Sequence, residues 1–270
     1  MRKIFKLPFR IWIAIIIAIA TAIAFEVGGN TFSQKPLVGI IFFILASILF
    51  FILYHLRSAF LNIYLLYRHP CEPHKGLIMM VSTPSPPPQK SNSNWKVQNG
   101  TTEVTLSGDL SKDIDSLEDA KSKSPPLKWN WQQLLRALVP HKDKITHIYL
   151  LGSPDPNGSY KWLDSASEII KCYMNNVEVI KYDKPVDFED FDSLLESINL
   201  CINKLKEKKI KDKDIIIDIT GGMKTASVAG AIATLNTRVT FQYVATNPDP
   251  KTGEYMVWAY DVSIQSPVSI

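Results

Sequence analysis

The chain has 270 residues, 46% of them hydrophobic, and a formal charge of +4. So small a charge excludes any argument for nucleic-acid binding from the total alone, because a clustered basic patch is what holds a polyanion; no direct DNA binding is expected. Cys71, Cys172 and Cys201 lie far apart with no CxxC pair, which reads as a reducing compartment with neither a disulfide framework nor a zinc site.

In chain order, Ile11–Val27 reads IWIAIIIAIATAIAFEV and Leu37–Leu56 reads LVGIIFFILASILFFILYHL. Each approaches the roughly 20 apolar residues that cross a bilayer as a helix. Residues 1–56 are therefore expected to form a two-helix transmembrane hairpin with spans at about 11–27 and 37–56. A cleaved signal peptide is the alternative for the first run, since Arg2, Lys3, Lys6 and Arg10 precede it. Basic residues flank the pair on both sides, with only Lys35 between them. The positive-inside rule then puts both termini in the cytoplasm, and the expectation is a multi-pass protein of the inner (cytoplasmic) membrane.

Residues 57–75 read as a juxtamembrane linker, a helix leaving the bilayer with Tyr64 and Tyr67 at its interface. Residues 76–270 read as a cytosolic domain. It opens on the apolar strand Gly76–Val81, which runs into Ser82-Thr83-Pro84. The polar stretch 84–126 reads as an insertion, a partly mobile surface loop with a short strand near Thr102–Leu106 and a helical turn near Ile114–Lys121.

From there the pattern alternates. Helices are predicted at Trp129–Val139, Tyr160–Met174, Asp187–Lys206 and Thr225–Leu235. Strands are predicted at Ile145–Leu151, Val177–Tyr182, Asp214–Ile219, Val239–Val244 and Tyr255–Val262. Such alternation implies an α/β fold, a Rossmann-like, mainly parallel sheet with helices on both faces. Ligands of such sheets lie beyond the carboxyl ends of the strands. Those ends are Ser82-Thr83, Gly152-Ser153, Thr220-Gly221-Gly222 and Thr246-Asn247, all small or hydrogen-bonding residues. Together they describe a ligand platform.

The stretch Ile215–Thr225, IIIDITGGMKT, concentrates the chemistry. A buried strand meets two glycines that permit close backbone approach, then Met223, Lys224 and Thr225 at a helix start. Lys224 can set an ammonium over a phosphate, and Thr220 or Thr225 can add a hydroxyl. The spacing is neither GxxxxGK[ST] nor GxGxxG.

The segment Asp218–Lys224 (DITGGMK) resembles the TGGxK signature of CARF domains, the CRISPR-associated Rossmann-fold sensors of cyclic oligoadenylates. The resemblance covers roughly residues 75–265 and extends to the strand ending in Ser82-Thr83 and to Ile148–Ser159 (IYLLGSPDPNGS). It implies that Ser82, Thr83, Thr220, Gly221, Gly222, Met223, Lys224 and Thr225 contact the cyclic ligand across a two-fold interface. Met223 stands where the family often carries threonine, and the 84–126 insertion exceeds a minimal CARF domain. The implied protein is a membrane-anchored effector of type III CRISPR antiviral defence. Cyclic tetra- or hexa-adenylate binding at the interface of a homodimer or higher homo-oligomer would gate a membrane perturbation. The alternatives are a membrane-tethered ring nuclease and an anchored sensor that recruits another effector.

Elsewhere no catalytic residue, metal site or cofactor is expected. None of the five histidines pairs with a second His or Cys at ligand spacing, and His141 reads as a helix-end cap. Asp187–Asp192 (DFEDFD) reads as an acidic helix start, and Lys204–Lys213 as a solvated helix end. Slow ring cleavage would need little more than an in-line ribose hydroxyl with Lys224 beside the developing charge.

Overall fold

Six successive residues of Gly76–Val81 (β2) are buried, and such continuous apolar burial is what a strand covered on both faces requires. β2 lies in a seven-stranded sheet of a computed structural model that describes residues 64–91, 94–235 and 237–264. The strands are β1 (Tyr64–Pro70), β2, β6 (His147–Gly152), β7 (Glu178–Lys181), β8 (Ile215–Asp218), β9 (Thr240–Val244) and β10 (Val257–Ile264), ordered β1-β10-β9-β8-β2-β6-β7. From β9 to β7 the neighbours are parallel, whereas β10 and β1 run antiparallel at one side. The sheet is thus mixed.

Alternate residues of the central strands feed two cores. Leu77, Met79, Leu150 and Ile216 face α1 (Leu110–Ala120), α2 (Gln132–Leu138) and α3 (Leu163–Tyr173). Ile78, Met80, Leu151 and Ile217 face α4 (Phe191–Glu207) and α5 (Lys224–Ala233). The acidic run before α4 caps it, with Asp190 Oδ1 accepting from the Asp192 and Ser193 amides. Gly230 lets α5 lie close on the sheet, since a Cβ there would come within 2.7 Å of Ile219 Cγ2.

Three expectations are corrected. The expected spans 11–27 and 37–56 lie outside the described residues, and among the described residues no helix is long and apolar enough to cross a membrane. The longest of them, α4, has 17 residues and carries Glu196, Lys204 and Lys206. The architecture here is an α/β domain on a mixed sheet, so neither the transmembrane hairpin nor the multi-pass inner-membrane placement is carried forward.

Second, residues 64–70 are no linker helix. They form β1, paired along its whole length with β10 from Tyr64↔Ile264 to Pro70↔Trp258. Aromatic and branched side chains favour a pleated partner, and the Arg68 guanidinium lies 4.0 Å from the Trp258 ring centre.

Third, 84–126 is folded. It holds the antiparallel strands β3 (Gln89–Ser91), β4 (Asn94–Asn99) and β5 (Thr102–Thr105), followed by α1. Trp95, Val97, Val104 and Leu106 are buried in the same core as α2 and α3. Asp113 locks the segment in place. Buried at 1% exposure, it accepts from the Ser107 amide and hydroxyl, the Gly108 amide and the Tyr173 hydroxyl.

Candidate functional site

Because β6, β2, β8 and β9 are adjacent and parallel, their carboxyl ends share one edge. The loops carrying Ser82-Thr83, Ser153, Thr220–Met223 and Thr246-Asn247 all leave from it.

The glycine turn is sterically constrained. A Cβ on Gly221 would stand 2.1 Å from the Met80 carbonyl oxygen, and one on Gly222 would stand 2.2 Å from Ala226 Cβ. The turn therefore passes close over the end of β2, and only glycine fits at either position. Behind it α5 begins without a side-chain cap and with no acidic residue in its first turn. Amides at an uncapped helix start are available to an anion. Lys224 is exposed at this start and makes no ion pair among the described residues.

On the α2 face of the same edge lies a cleft of about 340 Å³. Met79 and Val81 of β2 form one wall, Trp131 and Leu134 another, and Ser82, Gln133, Asp218, Thr220 and Gly221 supply polar groups. Asn130 organises the mouth. Its side-chain amide donates to Ser82 Oγ at 3.1 Å and to the Thr83 carbonyl at 2.8 Å, while its Oδ1 accepts from the Ser85 amide. Trp131 Nε1 donates to the Ser82 carbonyl at 2.7 Å.

Asp218 is the buried charge of this site. Burial pushes its carboxyl up to about 6, and hydrogen bonds from Thr220 and Gln242 oppose the rise only in part.

Of the residues singled out from sequence, Ser82, Thr220 and Gly221 line the cleft and Gly222, Met223, Lys224 and Thr225 follow directly on the turn. Several hydroxyls are already engaged. Thr220 Oγ1 donates to Asp218 Oδ1 at 2.7 Å and accepts from the Val244 amide at 2.9 Å, so this side chain ties β8 to β9 and leaves little for a ligand. Ser153 exchanges bonds with Ser159, each amide donating to the other's hydroxyl. Thr83 Oγ1 donates to the Asn157 carbonyl at 2.8 Å, joining the first loop to the 153–159 loop. Gly152 is buried against Tyr160, whose Cα would lie 2.6 Å from an added Cβ. Thr246 and Asn247 are exposed beside the site without lining the cleft.

Asn130, Trp131 and Gln133 escaped the sequence reading, and Asp218 entered it only as the first residue of DITGGMK, without a role of its own. The signal for the first two was Trp129-Asn130-Trp131 ahead of a helix, where an Asn between aromatics marks a loop-organising amide. For Asp218 it was a lone carboxylate closing an otherwise apolar strand.

A second cluster corrects the expectation that no histidine meets another His or Cys. The ligand atoms of Cys71, His74 and His141 lie within 4.8 Å of one another, and the Cys71–His74 spacing was visible in sequence. His141 ends a short helical turn but does not cap it, because its ring nitrogens are spent on the His74 amide and Gln242. A metal does not fit these protons. His141 Nδ1 accepts from the His74 backbone amide at 3.0 Å, so its proton must sit on Nε2, where it donates to Gln242 Oε1 at 2.7 Å. A neutral histidine that ligates through Nε2 needs its proton on Nδ1, and the amide forbids that. The Cys71 thiol also points to Gln242 Oε1 at 3.2 Å, and burial, with Asp218 nearby, pushes it up to about 12. Gln242 Nε2 completes the network on the Ala137 carbonyl at 3.0 Å.

No protein-family model matches the chain. A relative from Aquifex aeolicus (strain VF5), described as "Uncharacterized protein", is 32% identical over 135 residues, which is 50% of this chain and 42% of the relative. The chain thus covers less than half of that protein's length, and the likeness brings no activity with it.

Proposed function

We propose that the α/β domain is a sensor of a cyclic oligoadenylate, held at the edge formed by β6, β2, β8 and β9. The observation that carries this reading is the glycine turn: Gly221 and Gly222 tolerate no side chain, Gly221 lies against the Ser82 backbone, and the turn leads into the uncapped start of α5 and the exposed Lys224. Backbone amides plus one mobile ammonium suit a phosphodiester, and the adjacent cleft suits its nucleoside. The resemblance of DITGGMK to the CARF signature narrows the anion to that ligand class.

Two copies would share one ring. Val228 and Ile232, one turn apart on α5, are 53% and 43% exposed, and neighbouring exposed apolar side chains favour a partner surface. A second copy covering them would bring two glycine turns together.

The test is calorimetric titration of the full chain with cyclic tri-, tetra- and hexa-adenylate, repeated on Lys224→Ala. One ring is expected to bind per two chains, with Lys224→Ala weakening affinity about tenfold, the scale of one charge-assisted contact. Absence of binding by all three rings would remove the proposal.

A further inference from the structure

The amino ends of β9, β8, β2 and β6 form the edge opposite the glycine turn, and each of these strands is preceded there by a basic residue. Arg238 stands two positions before β9, Lys213 two before β8, Lys75 directly before β2 and Lys144 three before β6. All four are exposed. Backbone bonds stitch the loops together: the Lys75 amide donates to the Asp214 carbonyl at 3.0 Å, and the Lys75 carbonyl accepts from the Thr146 and His147 amides at 2.8 and 3.1 Å. Adjacent strands lie about 4.8 Å apart, so the four cations form a row roughly 15 Å long.

Cations outnumber acids here. Glu178, Asp212 and Asp214 are each held by a lysine, respectively Lys208, Lys206 and Lys144. Burial would raise the Asp214 carboxyl, yet the Lys144 hydrogen bond and the charges of Lys144, Lys75 and Lys213 keep it below its ordinary value. Lys75, Lys142, Lys209, Lys211, Lys213 and Arg238 make no ion pair among the described residues, and the acids left over beside them are Asp143 and Glu207. A clustered patch, rather than the net charge of a chain, is what holds a polyanion. The fold builds that cluster from four segments far apart in sequence.

The loops keep their apolar residues inside, Ile145, Ile210 and Val239 being buried, and residues 71–75, 142–146, 208–214 and 235–239 contain no Phe, Tyr or Trp. Single-strand sites use aromatic platforms for unstacked bases, and a bilayer surface is held by apolar anchors. This row offers charge at a regular interval instead. We infer that the amino edge is a docking surface for the phosphate backbone of a nucleic-acid duplex, bound without regard to sequence. Arg238, Lys213, Lys75 and Lys144 follow one strand, with Lys142 and Lys211 beside them. A duplex strand carries one phosphate per about 3.4 Å of axis, an interval of the same order as the row's. Neutralising phosphates releases condensed counterions, so binding falls steeply with salt.

The experiment follows the fluorescence anisotropy of labelled DNA and RNA duplexes of about 20 base pairs, titrated with the full chain across a salt series. With roughly four to six phosphates neutralised, log K is expected to fall with log salt at a slope of about −4 to −5. Lys75→Glu with Lys213→Glu and Arg238→Glu should reduce that slope by about three and weaken binding at least about tenfold. The neutral set Lys75→Gln, Lys213→Gln and Arg238→Gln gives the same sign should charge reversal unfold the chain. Lys251→Glu, exposed on the loop after β9 at the opposite edge, should bind as the wild type does. Binding of either duplex with these behaviours supports the inference. No binding to either duplex, a slope near zero, unaltered binding in both triple variants or an equal loss in Lys251→Glu overturns it. So does capture on vesicles containing phosphatidylglycerol without binding to either duplex.

Discussion

The backbone amide of His74 donates to Nδ1 of His141 at 3.0 Å, and this single bond dictates which ring nitrogen of a buried histidine carries the proton. What looks by distance like a Cys/His/His metal site is by proton count a closed hydrogen-bond network. Cobalt(II) added to the reduced protein is accordingly expected to give no thiolate charge-transfer band. A stoichiometric band lost on Cys71→Ser would show that His74 and His141 rearrange to ligate.

Acid stability should change less in the wild type than in either single variant because two buried groups, Asp218 and His141, oppose each other. Asp218 titrates near 6 when folded against an ordinary 3.8. From about 4 to about 6 the folded chain holds a proton that the unfolded chain lacks, so stability falls as pH rises through that window. His141 is pushed from 6.5 down to about 4, by burial first. Through nearly the same window the unfolded chain holds the extra proton, and stability rises with pH. His74, also lowered by burial, acts in the sense of His141. Asp218 and His141 each change stability by something on the order of 3 kcal/mol across the window, in opposite directions. Asp218→Asn should therefore lose stability on acidification, and His141→Asn should gain it. Urea midpoints taken at about pH 4.5, 5.5 and 7 decide the signs.

Glycine substitutions should separate contact from conformation. Gly221→Ala meets the Met80 carbonyl at 2.1 Å and should cost about 1–3 kcal/mol as an overpacked site, with ligand affinity lost as the turn moves. Gly253→Ala meets nothing within 4 Å but has φ of 72°, so the cost should stay near 1 kcal/mol and affinity should hold. Thermal melts with parallel titrations check both.

Removing the Asp113 carboxylate should loosen the 84–126 segment as a unit. Four donors converge on it, and leaving buried donors unpaired costs about 1–3 kcal/mol for each group that water cannot reach. Asp113→Ala is expected to lose more stability than Tyr173→Phe, which deletes one donor cleanly. Hydrogen exchange at Trp95–Leu106 should quicken in the first variant only.

Self-association should depend on α5. Val228→Glu with Ile232→Glu places charge on the exposed apolar face and should shift the chain toward monomer in sedimentation while leaving its Tm within about 0.5 kcal/mol equivalent, as surface changes do. An unaltered dimer fraction would place the contact elsewhere.

The alternation of strand and helix after Trp129 was legible because apolar runs such as Ile148–Leu151 and Ile215–Ile217 alternate with amphipathic helices such as α4, 17 residues long. The parallel neighbours β6, β2 and β8 follow from runs such as Gly76–Val81 and Ile215–Ile217, too apolar for anything but double coverage. Within 84–126 the strand at Thr102–Thr105 and the helix that includes Ile114 were legible, but the pairing of β3, β4 and β5 was not, because only Trp95, Val97, Val104 and Leu106 carry the alternation and the polar residues between them dilute it. β1 was misread because Tyr64–Tyr67 continues an apolar run, and whether such a run coils or pairs is settled by β10, far away in sequence. At the site, the glycine turn declared itself, since a steric demand for glycine is local. Asn130, Gln133 and the saturation of Thr220 did not, because each depends on partners brought in by the fold.

The pairing of β1 with β10 has a consequence for how the protein is made. Tyr64 finds its partner in Ile264, two hundred positions later, and β10 is the strand that joins β1 to the rest of the sheet. During synthesis the strand 64–70 therefore leaves the ribosome well before β10 and stays without that partner until residues 257–264 have been translated. Such non-local pairing slows folding, and an unpaired strand edge invites other chains. Shortening translation pauses between the codons for β1 and those for β10, or supplying a holdase, should raise the yield of folded protein more than stabilising the central strands does.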